Sequence, residues 1–460
     1  MTTTTLHGCT LVASLACATT LCIGCSTDQS DDGRNNGGNN GAGGNSGGDG
    51  DTGTNNDFGN GTGTGGNSGG TAGTPIDLSG PTEVTGTYIW IANSAQGTVS
   101  KIDTRTMEEL GRYITTPMSN GSPSRTSVGS TGAVVVANRG NGLDSFGGTP
   151  GITKIEAEAE QCEDRNNNGM IETSTGAADI MPWMQDECVS WFTPLTFYSN
   201  RPVSWAPPAG PDLPETVWTA GAELDHCVAA NCTIQVIRLN GDTGAEEVRI
   251  EIGPLSGVAF VGGFADLKDY GPYGGASDGG GNFWGFISNT THLFRIDALS
   301  LEYRLWEIPN HSAYGITVDP RGNVFLCAEA GLTRFEPDTE TFTTNSTGAA
   351  LGQNGCMTDG GDIIWVGGGG TGGALGLHSY NAITMDFLDS YPVGGVKGVS
   401  VDYDGNVWGV GGLATGDRAW RLDPTTGMSD EFVGLTGAYS YSDMTGFGLT
   451  KAGYVPVAVE

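Results

Sequence analysis

The chain has 460 residues, 78 of them glycine, and a formal net charge of −32 at pH 7. Such a polyanion repels the phosphate backbone, so nucleic-acid binding is excluded. The glycine content, more than twice the usual share of about 7%, excludes a mainly helical protein, because each glycine costs about 1 kcal/mol in a helix interior relative to alanine.

The first predicted element is an export signal over residues 1–25. Residues 11–24 are an apolar stretch with the length of a signal-peptide core, shorter than the roughly 20 residues of a membrane-spanning helix. The stretch ends in Leu-Cys-Ile-Gly before Cys25, which resembles a bacterial lipoprotein signal. The resemblance implies a protein exported to the cell envelope and held at the outer membrane or the cell surface by a lipid on Cys25. The alternative is an ordinary secretory signal cut nearby.

A disordered linker is predicted over residues 26–79. Up to residue 75 it consists almost entirely of Gly, Asn, Asp, Ser and Thr, and Phe58 is its only large apolar residue. Such a chain buries too little apolar surface to offset its ordering entropy. A glycine-rich coil of this length spans about 40 Å on average, which suits a tether between a lipidated cysteine and a folded domain.

Residues 80–455 repeat one pattern about every 40 to 45 residues, with two longer gaps. Clear copies begin at Tyr314 and Gly398, and each has an alternating strand, an Asp-x-x-Gly-Asn turn, a second strand and a third strand that ends in another turn. Alternation of period two is typical of half-buried strands, and Gly-Asn is typical of hairpin turns. Repeats of this length built from four short strands are typical of β-propeller blades.

Five further copies bring the count to seven and predict an all-β, seven-bladed β-propeller. The first copy lacks an inner strand before it, and residues 441–449 have the right form to supply one. This exchange closes the ring and leaves no exposed sheet edge. The tryptophans that recur in the copies are expected to pack between blades; they are Trp90, Trp218, Trp284, Trp365 and Trp408.

These motifs resemble the streptogramin (virginiamycin B) lyases, a seven-bladed family that grades into NHL-type repeats. The matching segments are 315–325, 398–408 and 441–446, and the resemblance extends over residues 80–455. Lyases of the family open a cyclic ester by elimination, with a metal ion and a histidine base that stands just before the glycine opening an inner strand. Those positions hold no histidine here: they are Ser124-Arg125, Tyr273, Tyr314, Asn354 and Lys397. No catalytic residue is therefore assigned.

The loops that enter the inner strands surround the central channel of a propeller, where small ligands bind. The residues expected at this channel mouth combine positive charge with aromatic rings, which suits an anionic or sugar-like ligand. They are Arg125, Tyr273, Tyr314, Lys397 and Tyr441. The alternative is ordinary packing and solvent contact.

The sequence thus predicts a tethered, monomeric binding or interaction module. Its partner is an unidentified envelope or extracellular ligand, and it meets the membrane only through its lipid anchor. Two alternatives stay open. One is an extracytoplasmic metal-dependent lyase or hydrolase with a rearranged site, and the other is a structural envelope component with no small ligand.

An insertion over residues 156–200 contains a segment that resembles the first part of an EF-hand or dockerin calcium loop. Asp164 is followed by Asn at loop positions 3 and 5 and by Gly169 at the sharp turn. Because Ca²⁺ takes about six to eight oxygen ligands, nearby carboxylates would have to complete the shell. The ligands predicted for a structural Ca²⁺ are Asp164, Asn166, Asn168, Met170 (through its carbonyl), Glu172, Asp179 and Asp186. The alternative is an Asn/Gly turn with no ion.

Six cysteines follow Cys25 in the sequence, and an exported protein favours their pairing as disulfides. Proximity along the chain favours three bonds, namely Cys162–Cys188, Cys227–Cys232 and Cys327–Cys356. A zinc site that uses His226 beside Cys227 is the alternative, but its spacing does not match a paired zinc knuckle.

Overall fold

The computed structural model describes residues 87–452, apart from thirteen short gaps. These gaps are 118–120, 141–147, 209–212, 224–226, 229–230, 254–270, 288–291, 310–312, 329–330, 346–351, 353, 370–373 and 413–414. The predicted signal at 1–25, with Cys25, and the predicted linker at 26–79 lie outside the described residues.

Seven antiparallel sheets follow one another within the described part of the chain, and each is one blade. The first blade has the strands β1 (Tyr88–Asn93), β2 (Thr98–Asp103) and β3 (Glu109–Ile114). The second has β4 (Pro123–Val128), β5 (Val134–Asn138), β6 (Gly151–Ile155) and β7 (Val189–Pro194). The third has β8 (Phe197–Ala206), β9 (Thr216–Glu223), β12 (Ile234–Asn240) and β13 (Glu246–Ile252), and a small hairpin of β10 (Cys227–Val228) and β11 (Asn231–Cys232) interrupts it.

The four remaining blades each contain four strands in chain order. The fourth has β14 (Pro272–Ser277), β15 (Phe283–Ile287), β16 (His292–Ile296) and β17 (Tyr303–Glu307). The fifth has β18 (Gly315–Val318), β19 (Val324–Ala328), β20 (Gly331–Glu336) and β21 (Thr341–Asn345). The sixth has β22 (Cys356–Thr358), β23 (Ile363–Gly368), β24 (Gly376–Asn381) and β25 (Phe387–Tyr391), and the seventh has β26 (Val396–Val401), β27 (Val407–Gly411), β28 (Arg418–Leu422) and β29 (Ser429–Val433).

The first strand of each four-stranded blade is its inner strand, and these strands contact one another in order around the axis. The C-terminal segment 438–444 fills the inner place of the first blade. Ala438 pairs with Asn93, the Tyr439 N–H donates to the Ala92 carbonyl at 3.1 Å, and the Trp90 N–H donates to the Met444 carbonyl at 2.9 Å. The predicted seven-bladed propeller and its closure by the C-terminal segment are confirmed.

The end of the closing segment differs from the sequence prediction, because residues 447–452 form a short helix, α1 (Phe447–Ala452), rather than strand. The Asp443 carboxylate accepts hydrogen bonds from the backbone N–H groups of Gly446 and Leu449 at 2.9 and 2.8 Å. A carboxylate in this position satisfies N–H groups that the first turn of a helix leaves unpaired. The chain therefore turns into a helix as soon as the inner strand has been completed.

The Asp-x-x-Gly-Asn turns owe their shape to the aspartate side chain. The buried Asp402 carboxylate accepts hydrogen bonds from the backbone N–H groups of Asp404 and Asn406, at 3.0 and 2.9 Å, and from the Trp408 indole at 2.9 Å. Gly405 has a φ of +83°, which favours glycine. The turn thereby fixes the orientation of a tryptophan in the next strand.

The recurrent tryptophans pack between neighbouring blades, as the sequence predicts. All five have 2% or less of their surface exposed. Trp218 lies in one apolar cluster with Phe283 and Phe294 of the next blade, and Trp408 lies in another with Ile89 of the first blade. The core is therefore a ring of separate clusters, which keeps the axis available for polar side chains.

Candidate functional site at the channel mouth

The five residues predicted at the channel mouth come from five different parts of the ring, and the structure brings them together. Arg125 is in β4, Tyr273 in β14, Tyr314 just before β18, Lys397 in β26 and Tyr441 in the closing segment. The Arg125 guanidinium carbon lies 3.8 Å from the ring centre of Tyr441 and 4.6 Å from that of Tyr273. The Lys397 ammonium nitrogen lies 3.8 Å from the ring centre of Tyr314.

Irregular pairing in three inner strands coincides with three side chains of this cluster. The pairing of β14 with β15 skips Tyr273, and the pairing of β26 with β27 skips Lys397. The pairing of β8 with β9 skips Arg201 together with the proline that follows it. An extra residue in a strand bends the backbone and re-aims the side chain, so the same irregularity delivers three of the polar groups at the mouth.

Three residues that sequence reasoning missed complete the group. The Arg201 guanidinium lies 5.0 Å from the ring centre of Tyr273, and the Arg139 guanidinium lies 5.0 Å from that of Tyr439. Tyr439 stands two residues before Tyr441, so the alternation of a strand was the signal that could have found it. The mouth cluster is thus Arg125, Arg139, Arg201, Tyr273, Tyr314, Lys397, Tyr439 and Tyr441.

Tyr273 lies at the centre of the mouth cluster. Its hydroxyl oxygen is 3.0 Å from the hydroxyl oxygens of both Tyr314 and Tyr439. Burial by itself would raise the pKa of Tyr273, but the positive charges of Arg201, Arg125 and Lys397 outweigh burial and lower the pKa to about 7. Burial raises the pKa of Tyr314, Tyr439 and Tyr441. Tyr273 is therefore the tyrosine of the cluster that takes a negative charge near neutral pH.

Arg125 is the most deeply placed cation of the mouth cluster, with 0% of its surface exposed. Its guanidinium donates to the Ser124 hydroxyl at 3.3 Å and to the Tyr441 hydroxyl. Its Nε has no hydrogen-bond partner within the described residues, and no described carboxylate forms an ion pair with it. Lys397 and Tyr439 are only half-buried and form the more open side of the cluster.

The calcium-loop segment folds into a compact turn. The Asp164 carboxylate accepts hydrogen bonds from the backbone N–H groups of Asn168 and Gly169, at 3.2 and 2.8 Å. The Glu172 carboxylate accepts hydrogen bonds from the side-chain amides of Asn166 and Asn168, at 2.8 and 2.7 Å. Four of the predicted ligand side chains are therefore neighbours, namely Asp164, Asn166, Asn168 and Glu172. The Met170 backbone lies beside them, and its N–H donates to the Asn168 side-chain oxygen at 2.8 Å.

The two remaining predicted ligands are bonded elsewhere. Asp186 accepts hydrogen bonds from Ser174, and Asp179 accepts one from the Thr175 hydroxyl at 2.9 Å. Glu187, which sequence reasoning missed, reaches the loop instead and accepts the backbone N–H of Glu172 at 3.0 Å. Within the described ranges, no three His, Cys, Asp or Glu side chains form a metal-binding group.

Two of the three predicted disulfides are confirmed. Cys162 and Cys188 are bonded and close the insertion, and Cys327 and Cys356 are bonded and join the fifth and sixth blades. Cys227 and Cys232 pair across the hairpin backbone, but their side chains lie outside the described residues. Disulfides indicate an oxidising compartment.

No helix in the described part of the chain is long and apolar enough to cross a membrane.

Comparison with known proteins adds evidence on the fold. No protein-family model and no curated protein sequence matches the chain. A functionally unknown protein from Desulfotomaculum acetoxidans has a similar structure, with 12% identity and a TM-score of 0.50 over 78% of this chain and 98% of that one. The shared feature is the fold.

Two further solved structures have lower scores. A putative 6-phosphogluconolactonase from Bacteroides fragilis is 10% identical, with a TM-score of 0.49 over 78% of this chain and 99% of that one. A virginiamycin B lyase from Staphylococcus aureus, solved in catalytically inactive form with quinupristin, is 14% identical, with a TM-score of 0.41 over 69% and 87%. The seven blades of this chain themselves confirm the propeller fold expected from the resemblance to streptogramin lyases. Identities this low carry no activity over to this chain.

Proposed function

We propose that this protein is an exported binding propeller that holds a small ligand in the mouth cluster. The observation that supports this proposal most strongly is the fully buried Arg125, whose Nε has no hydrogen-bond partner within the described residues. A buried cation is costly unless an anion or hydrogen-bond acceptors compensate it. A ligand that supplies such groups would therefore bind favourably beside Arg125.

The mouth cluster favours binding over the elimination chemistry of the lyase alternative. A base in that chemistry must reach the proton that it removes. Within the described residues, the inner-strand positions of the mouth hold no histidine or carboxylate, and Tyr273, which has a pKa of about 7, lies among the positive charges of Arg125, Arg201 and Lys397 that stabilise its phenolate. The monomeric state and the lipid anchor on Cys25 stay predictions from the sequence.

Thermal unfolding in the presence of a panel of small anions and sugars tests this function. We expect at least one compound to raise the unfolding midpoint of the wild-type protein, since a ligand that binds only the folded state stabilises it. The Arg125→Met variant should lose this response, and the Arg304→Met variant, which changes an arginine with 67% side-chain exposure, should keep it. A panel without a binder, or binding that Arg125→Met leaves intact, would contradict the proposal.

We also propose that the calcium-loop segment, which begins at Asp164, binds a structural Ca²⁺. Asp164, Asn166, Asn168 and Glu172 supply neighbouring side-chain oxygens, and a shell with only two carboxylates suits millimolar extracellular calcium.

Calcium should therefore raise the unfolding midpoint relative to a chelator. The Asp164→Ala variant should lose that increase. The Asp179→Ala variant should keep it, because the Asp179 side chain is bonded to Thr175. Equal midpoints in calcium and in chelator would count against an ion, and an equal loss in both variants would show that the shell is built differently.

A further inference from the structure

The burial of Arg125 means that the mouth cluster requires a negative charge. Removing an ion from water costs several kcal/mol even after relaxation. The rings of Tyr441 and Tyr273 face the guanidinium, but cation–π contacts offset only part of that cost. Hydroxyl groups at Ser124 and Tyr441 satisfy some donors without cancelling the charge. A stable mouth therefore needs an anion close to Arg125.

Tyr273 can supply that anion within the protein. Its ring lies under two guanidinium groups, and its hydroxyl is bonded within the tyrosine group. Its pKa of about 7 makes it a phenolate in a large fraction of molecules at neutral pH. The charged and titratable groups that face it come from every inner strand packed against it and from the closing segment, and they are Arg125, Arg201, Tyr314, Lys397, Tyr439 and Tyr441.

We infer that the mouth cluster binds a small organic carboxylate that replaces the Tyr273 phenolate as the anion beside Arg125, and that Tyr273 takes up one proton as the ligand binds. This inference rests on the proposed binding function and names its ligand class. The charge balances, because one carboxylate enters with one proton and the phenolate becomes a neutral phenol. No covalent bond forms or breaks other than the phenolic O–H bond.

The donors of the Arg125 side chain favour a carboxylate. A guanidinium presents its N–H donors in a planar fork that matches the two oxygens of a carboxylate. The unpaired Nε of Arg125 is one of those donors.

Proton uptake makes the affinity depend on pH in a definite direction. Above pH 7 Tyr273 is ionised and competes with the ligand for the same positive charges, whereas below pH 7 it is neutral. The dissociation constant should therefore rise about tenfold between pH 6 and pH 8 for a group with a pKa near 7. Tyr273→Phe keeps the ring and removes the titrating hydroxyl, so its affinity should not change over this range.

Calorimetric titration of the full-length protein with benzoate, and with benzamide as a neutral compound of the same shape, tests the inference. Benzoate should bind and benzamide should bind at least about tenfold more weakly, since a charge-assisted hydrogen bond contributes about 1.5–3 kcal/mol. Titrations in buffers of different ionisation enthalpy should show the uptake of up to one proton at pH 8, and none in Tyr273→Phe. Arg125→Met should raise the dissociation constant for benzoate at least about tenfold. Arg304→Met should leave that constant unchanged.

The outcomes separate the ligand class from the proposed function. Equal binding of benzoate and benzamide, or a benzoate affinity that does not change with pH, would overturn the inference. So would a neutral sugar that binds in an Arg125-dependent manner while benzoate and acetate do not, although the binding function would stand. If no panel compound binds, both fail. Thermal unfolding without ligand shows whether each variant is folded. If the Arg125→Met variant does not fold, the Tyr273→Phe variant still tests the inference.

Discussion

Replacing Gly398 with alanine should destabilise the propeller by about 3 kcal/mol or more. Gly398 lies in β26, where the inner strand of the seventh blade approaches the closing segment. A β-carbon on Gly398 would overlap the carbonyl oxygen of Ser440, which is backbone and cannot rotate away. The variant must therefore displace the segment that completes the first blade.

Gly395→Ala is the matched control for this prediction. A β-carbon on Gly395 would lie 3.6 Å from a Leu375 methyl group and 3.8 Å from the Thr415 hydroxyl, which are ordinary contacts. Both variants lower the entropy of the unfolded chain equally, so this effect cancels in the comparison. Denaturant unfolding should show Gly395→Ala within about 1 kcal/mol of the wild type. Equal midpoints for the two variants would mean that the closing segment does not pack against Gly398.

Ring closure and the mouth cluster are linked through the closing segment. Tyr441 stands next to Ser440 on this segment, and it pairs with Arg125 through both a backbone bridge and a side-chain hydrogen bond. A displaced segment would therefore remove one ring from the face of the Arg125 guanidinium. The same strand that removes the open edge of the sheet also completes the mouth cluster.

The sequence allowed much of the fold to be predicted because each blade carries its own local signals. Asp402 and its equivalents shape the turns through hydrogen bonds to residues two to six positions later, so the pattern can be read from a short window. Closure could be predicted because a complete set of blades leaves one inner strand to be supplied from the C-terminal end.

The parts that could not be predicted depend on contacts between distant residues or on bulges. Arg201 enters the mouth cluster because the pairing of β8 is irregular, and a bulge leaves no residue-type signal of its own. Asp186 and Glu187 are adjacent in sequence, so a one-residue difference in backbone direction decides which carboxylate reaches the calcium-loop segment. Helix α1 forms because Asp443 bonds to its first turn, which overrides the expectation of strand.

Replacing both Cys327 and Cys356 with alanine should lower the free energy of unfolding by about 3–4 kcal/mol. The two residues are 29 positions apart, and their bond restricts the unfolded chain by closing a loop of that length. Both side chains are buried, with 1% and 2% of their surface exposed, between the fifth and sixth blades. Loss of the bond therefore acts on the whole ring, since neighbouring blades unfold together when their shared core opens.

The Cys162/Cys188 pair provides the comparison, because it is 26 positions apart and closes a loop of similar length. If only the entropy of the unfolded chain mattered, the two double-alanine variants would lose the same stability. Cys162–Cys188 closes an insertion outside the regular strands, so its loss should loosen that insertion locally and change the global unfolding midpoint less. Hydrogen exchange across residues 164–187, together with denaturant unfolding, distinguishes the two effects. Equal global losses would mean that the insertion unfolds together with the ring and is not a locally unfolding unit.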